Sequence, residues 1–237
     1  MLDYSVLREN DNKFVKTPSV FCPKKALEQI VEILEDKINF KDIKLEINFF
    51  GFENSSNGMV LKSDVRRLQQ VLLNLVSNAV KFTNDNGLIQ IFVRYVNGGE
   101  REKIPQTHIE ISENVLGSQF EDDKSYLQLV VVDNGRGIQD KDKKKLFKLF
   151  GSVKDEQMKI NLQGIGLGLV ISKLIVEKFG GKIDYLSEFG KGSAFFFTFG
   201  LEQPDPKEIE EFTRIEEQKN EVAGTGEIAF EEDKSSN

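Results

Sequence analysis

The sequence predicts an α/β domain, and three observations carry that prediction. A chain of 237 residues with 39 % hydrophobic and 30 % charged residues has enough ordinary globular composition to bury one sizeable core. Apolar residues recur at helical spacing in three stretches, 24–38, 64–82 and 166–179, with strand-like runs between them. Glycine-bearing turns punctuate the pattern, notably DNGRG at 133–137 and GIGLG at 164–168.

The elements follow in order. Leu2, Val6 and Leu7 fit the last turns of a helix that Pro18 ends. SVFCP at 19–23 is a short strand candidate, and Pro23 suits the start of the helix over 24–38, with Leu27, Ile30, Val31 and Leu34 inward. Ile43, Leu45, Ile47 and Phe49 alternate through 42–52, as a half-buried strand requires. SSNG at 55–58 is a turn, and MVLK at 59–62 a short strand. Asp64 can cap the next helix, whose buried stripe is Leu68, Leu72, Leu75, Val76 and Ala79. A strand over 88–96 precedes a polar insertion, 97–125, with a weak strand signal in THIEISE at 107–113. A strand over 126–133 follows, then a short helix over 140–150 and a polar loop over 151–163 that could close as a lid. The helix over 166–179 leads to two last strands, 182–188 and 193–200, joined by the turn FGKG.

Composition excludes several classes. No apolar run reaches the roughly 18–20 residues that span a bilayer, and the N-terminus has no signal-peptide pattern. The single cysteine, Cys22, leaves no intramolecular disulfide and suits a reducing, cytoplasmic setting. Residues 202–237 hold twelve acidic and four basic residues, a net of −8, which leaves residues 1–201 at +1 against the chain's −7. Nucleic-acid binding through phosphate neutralisation is therefore not expected, and the tail reads as a solvated, disordered segment.

Three stretches carry chemistry. Asn74, Asn78 and Lys81 stand at i, i+4 and i+7 and share one helix face opposite the apolar stripe. Amide oxygens suit Mg²⁺ that keeps water and phosphate ligands, and a lysine supplies a point charge for phosphate. Asp133 ends a buried strand at a glycine turn, where its carboxylate can accept from the exocyclic amine of adenine while Gly135 and Gly137 admit a flat base. Gly164, Gly166 and Gly168 open a helix whose free N–H groups favour phosphate. A solvated helix face, a capped turn and a structural glycine turn are the alternatives for each stretch taken alone. There is no GxxxxGK[ST] loop and no good GxGxxG in a parallel βαβ unit.

Five motifs in order now make a pattern: NLVSNAVKFT at 74–83, DNGRGI at 133–138, KLFKLF at 145–150, GIGLGL at 164–169 and GKGSAFFF at 190–197. Over residues 18–200 the chain resembles the catalytic and ATP-binding domain of sensor histidine kinases, in the superfamily that includes DNA gyrase, heat-shock chaperone ATPases and mismatch-repair ATPases. The resemblance implies a two-layer α/β sandwich with a mixed sheet (the Bergerat ATP-binding fold), its helices on one face. It implies ATP and Mg²⁺ as ligands, with Asn78 on the metal, and Asn74 and Lys81 as the catalytic pair near phosphate or metal-bound water. Phe82 would pack near the adenine that Asp133 binds, between Gly135, Gly137 and Ile138. Gly164, Gly166, Leu167 and Gly168 would line the phosphates, Phe147 and Phe150 would anchor the lid, and Ser193 stands where the family commonly has threonine.

The same resemblance orders the chain and its partners. Residues 1–17 resemble the end of a dimerisation helix and its linker, 18–201 the ATP-binding domain, and 202–237 an acidic tail that could lead to a receiver domain. Hydrolysing relatives carry glutamate where Asn74 stands; asparagine takes no proton, which favours transfer to a protein nucleophile. That nucleophile would be a histidine on a dimerisation domain outside this chain. The only histidine here, His108, lacks the family's helical acceptor setting and reads as a surface residue of the insertion. A response-regulator receiver, homodimerisation of the full-length protein and a membrane tether upstream are further expectations. An ATPase switch and a non-catalytic nucleotide-sensing module remain the alternatives.

Overall fold

The computed structural model describes residues 14–53, 59–97, 103–112, 115–116, 124–148 and 167–223. The expected turn at 55–58, the lid loop at 151–163, Phe150, Gly164 and Gly166 lie outside them. So do residues 1–13 of the expected dimerisation helix and 224–237 of the tail. Among the described residues no helix is long and apolar enough to cross a membrane.

Seven strands and five helices are described: β1 (Ser19–Phe21), α1 (Pro23–Phe40), β2 (Lys44–Phe50), β3 (Leu61–Ser63), α2 (Val65–Phe82), β4 (Leu88–Asn97), β5 (Ser125–Asp133), α3 (Asp140–Lys143), α4 (Gly168–Lys178), β6 (Ile183–Glu188), β7 (Gly192–Gly200) and α5 (Pro206–Ala223). The main sheet runs β2-β4-β5-β7-β6, and β1 pairs with β3 in a separate two-stranded ribbon. β2 lies parallel to β4, while the other pairs are antiparallel, so the sheet is mixed.

Strand alternation sorts the sheet's side chains onto two faces. Ile89, Ile91 and Val93 of β4, Leu127, Leu129 and Val131 of β5, and Phe197 and Phe199 of β7 join the apolar stripes of α1, α2 and α4 in the main core. This is the helix-covered face that the fold class requires. α2 begins at Asp64, whose Oδ1 accepts from Arg67 N at 3.1 Å and whose Oδ2 accepts from Thr17 N at 3.0 Å. Its far end is closed by Lys41, whose Nζ donates to the carbonyls of Val80, Lys81 and Thr83 at 2.9, 3.1 and 2.6 Å. A cation on the last carbonyls of a helix satisfies acceptors that have no intrahelical donor.

The opposite face is not bare. Phe92, Val130, Val132, Ala194 and Phe196 form a second core with Ile109 and Leu116 of the insertion, and Ile104, Ile111 and Val115 pack against it. Beneath it Arg94 is wholly buried and donates through Nε to Gln128 Oε1 at 2.9 Å. The strand expected in THIEISE does not form: 107–112 are irregular. Ile109 and Ile111 alternate because one side of this segment lies on the sheet, not because it pairs in a ladder.

Two other expectations change. The short helix after β5 is only Asp140–Lys143, followed by turns to 147. The segment read as a disordered tail contains α5, in the second of two compact units, Pro204–Asn237, the first being Met1–Gln203. Asp205 and Glu208 form a reciprocal cap there: Lys207 N donates to Asp205 Oδ1, and Asp205 N donates to Glu208 Oε2, each at 2.8 Å. Pro206 fits the first turn, and Ile209, Phe212 and Ile215 recur at helical spacing, so capping and period outweigh the acidic composition.

Candidate functional site

A cleft of about 270 Å³ opens where α2, the end of β5, the segment after α3, the start of α4 and β7 meet. Of the residues singled out in the sequence, Asn74, Asn78, Lys81, Phe82, Asp133, Gly137, Ile138, Gly168 and Ser193 line it. Gly135 and Leu167 are not in that lining; Gly135 packs against Phe82 O beneath it, and Leu167 stands just before the first turn of α4.

The DNGRGI segment is clamped on both sides, which fixes the pocket wall. Arg136 N donates to Phe82 O at 3.3 Å, and a Cβ at Gly135 would overlap that same carbonyl. On the other side Gly190 N donates to Arg136 O at 2.8 Å. Gly137 has φ +67 and sits so close to Glu188 O that a Cβ would overlap it. Only glycine meets both demands.

Asp133 is 4 % exposed, and its Oδ1 accepts from Gly135 N at 3.0 Å. Burial pushes its carboxyl up to about 6, against the lowering effects of the Gly135 N–H, His108 and the Ser193 backbone. The carboxyl thus changes charge just below neutral pH, at the place where a base-reading acceptor was expected.

Ser193 lies opposite Ser187 in the β6–β7 hairpin. Ser187 Oγ accepts from Ile138 N at 2.9 Å, donates to Gly192 O at 2.9 Å and lies 3.0 Å from Ser193 Oγ. A hydroxyl has one proton. With Ser187's proton on Gly192 O, Ser193 donates to Ser187 and turns its lone pairs outward. Ser187 was missed in the sequence, although FGKG fixes a hairpin register in which 187 must face 193.

On α2, Asn74 Nδ2 donates to Ser172 Oγ of α4 at 3.0 Å, and Ser172 is 2 % exposed. A Cβ at Gly168 would overlap Asn74 Oδ1, so any other residue there would make the amide move. The Phe82 ring has Arg136 4.8 Å above it and Lys81 Nζ at 5.2 Å.

Lys81, Arg136, Lys145 and Lys148 line the cleft with the carboxyl of Asp133, and Lys145 is paired with the buried Asp142 at 2.5 Å, so the balance stays positive. The glycines and phenylalanines that mark DNGRGI and KLFKLF do not themselves single out Arg136, Lys145 and Lys148. Phe147 also lines the cleft, with its ring 6.1 Å from Tyr185. Such a wall suits a polyanion with a flat apolar part. Among the described residues no group of three or more His, Cys, Asp or Glu could hold a metal. The donor set fits Mg²⁺ that arrives on phosphate and is completed by an amide such as Asn78.

His108 is exposed, as its surface reading expects, and its Nε2 lies 3.0 Å from the main-chain carbonyl of Asp133.

The model of the histidine kinase-, DNA gyrase B- and HSP90-like ATPase family matches residues 63–203. The chain belongs to this family. Histidine kinases are among its relatives there. It is 32 % identical over 198 residues to hybrid signal transduction histidine kinase B of Dictyostelium discoideum, which covers 84 % of this chain and 8 % of the relative. It is 30 % identical over 202 residues to the signal transduction histidine-protein kinase BarA of Escherichia coli K12, covering 85 % and 19 %. The chain thus spans under a fifth of either relative's length. The crystal structure of full-length ShkA in complex with AMPPNP shares the fold, with a TM-score of 0.60 at 22 % identity, covering 86 % of this chain and 35 % of that one. The mixed sheet and its helix layer are the Bergerat ATP-binding fold of this family.

Proposed function

We propose that this domain binds Mg·ATP in the cleft and passes the γ-phosphoryl group to a histidine of a dimerisation module, not to water. The observation that carries the choice is Asn74. A neutral amide stands on the phosphate side of the cleft, held by Ser172, where hydrolysing relatives of the resemblance carry a general base. An amide cannot accept the proton of an attacking water, whereas an imidazole nitrogen attacks through a lone pair without a base.

The remaining residues bind and orient. Asp133 accepts from the adenine amine, Gly135, Gly137 and Ile138 shape the slot, and Ser193 presents lone pairs beside it. Phe82, flanked by Lys81 and Arg136, supplies an apolar edge near the base. Asn78 completes the metal's ligands, Lys81 and Asn74 contact phosphate oxygens, and Gly164, Gly166, Leu167 and Gly168 provide backbone for the phosphate turn. Mg²⁺ supplies charge neutralisation on the transferring group. In the transfer an imidazole nitrogen bonds to the γ-phosphorus as its bond to the β–γ bridging oxygen breaks, leaving phosphohistidine and ADP. The resemblance to histidine kinases, one of them named a hybrid kinase, extends this proposal to a dimerisation domain and a receiver as partners and to a homodimer of the whole protein.

The test mixes this chain with a histidine-bearing dimerisation fragment of such a kinase and γ-labelled ATP. Acid-labile, base-stable label on the fragment, with negligible steady phosphate release, is expected. Steady hydrolysis by the chain alone would replace this reading with an ATPase switch, and tight ATP binding without transfer would replace it with a nucleotide sensor.

A further inference from the structure

Among the described residues of the insertion, His108 meets the strand end at the cleft. Ile109 is 6 % exposed and Leu116 wholly buried on the sheet face away from the helices. The neighbour of Ile109, His108, reaches the end of β5. A carbonyl oxygen only accepts, so the 3.0 Å contact requires a proton on Nε2 of His108. The loop is braced locally by Thr107 Oγ1, which donates to Ile109 O at 2.5 Å. The carbonyl so held belongs to the residue whose side chain points into the cleft.

We propose that His108 is a positioning residue for the nucleotide site, holding the end of β5 so that Asp133 meets the base, and coupling the cover on the sheet's back face to ligand affinity. The proposal rests on the reading of Asp133 as the adenine acceptor. His108 touches no ligand and acts through the strand in two ways. Its N–H fixes the Asp133 peptide in either charge state. When protonated, it adds a positive charge near the carboxyl and favours the ionised form, the form that accepts from an amine. Other charged groups around the carboxyl are Lys81 on α2, Arg136 beside it, Lys145 after α3 with its partner Asp142 at 2.5 Å, Lys148, and the Glu188–Lys191 pair at 2.7 Å on the β6–β7 turn. All of these are left unchanged by substitutions at 108.

The experiment titrates the full chain with Mg·ADP from pH 5.5 to 8 as the unsubstituted protein, His108→Ala and His108→Gln, with thermal unfolding in parallel. Comparison at matched pH removes the nucleotide's own titration. His108→Ala should weaken binding about fivefold at pH 8, the factor for one hydrogen bond. Its acid loss of affinity should also begin at higher pH than in the unsubstituted protein. His108→Gln keeps an N–H donor, so it should bind normally at pH 8 yet lose affinity at the same raised pH. Weakening at every pH with unmoved acid limbs would mean that His108 only stabilises the fold, and unchanged affinity and limb in both variants would remove any link; either overturns the proposal. Absence of saturable binding by the unsubstituted chain would instead remove the reading of the cleft, and this inference with it.

Discussion

Asp133→Asn should make the nucleotide-free domain more stable at neutral pH while crippling the site. Burial raises the carboxyl from its ordinary 3.8 to about 6 in the folded protein. Well below pH 3.8 the group is neutral folded or unfolded and costs nothing. Between these values the folded state holds the proton more tightly, so stability falls as pH rises. Above about pH 6 folding must bury a charge. Each tenfold change in proton affinity is worth roughly 1.4 kcal/mol, so the rise from 3.8 to about 6 costs about 3 kcal/mol in full. Asparagine keeps an oxygen that can accept from Gly135 N and removes the charge. Its stabilisation should therefore be about 0.5 kcal/mol at pH 4 and grow to at most about 3 kcal/mol at pH 7.5, a rise in Tm of several degrees for a domain this size. Urea unfolding at the two pH values measures it. Nucleotide affinity should fall about 10- to 150-fold, the range for a hydrogen bond to a charged acceptor. A variant less stable than the unsubstituted protein at pH 7.5, or equally stabilised at both pH values, would refute the argument that a buried charge is held here for the ligand.

Three further outcomes follow from the same geometry. Asn78→Ala should abolish the Mg²⁺-dependent part of ATP affinity and leave adenosine binding unchanged, as titrations with and without the metal would show. Gly137→Ala forces a Cβ onto the Glu188 carbonyl at φ +67, so it should weaken nucleotide binding at least tenfold with strain of about 1–3 kcal/mol in unfolding. Ile109→Ala should cost about 2–4 kcal/mol in urea unfolding if the insertion is part of the core; a change under about 0.5 kcal/mol would mean that this segment does not pack as described.

Much of the helix face of the molecule was legible because one period served two purposes. The spacing that buries Leu68, Leu72, Leu75 and Ala79 also sends Asn74, Asn78 and Lys81 to the opposite side of α2, so core and site were read from one stretch. Contacts between elements were not. Ser172 bonds to Asn74 from 98 positions away, and nothing in the local pattern around either residue reports it. Ser187 is the intermediate case: a tight hairpin gives its partner by counting, yet the Ile138 N–H that it also receives comes from another loop.

The insertion shows why alternation alone misleads. A strand and an irregular segment lying on a surface both bury every second side chain, and only the former needs a partner ladder. Ile109 and Ile111 satisfy the pattern in both cases, but β2 and β6 end the sheet at its edges and the segment crosses the face between them. That difference bears on function. An added edge strand would have stood away from the cleft, whereas a cover on the face brings His108 to the strand end that carries Asp133. On the proposal above, a change in how the cover sits reaches Asp133 through the His108 contact with its main-chain carbonyl. The histidine that lacks the setting of a phosphate acceptor thus stands, among the described residues, where the insertion meets the strand end at the cleft.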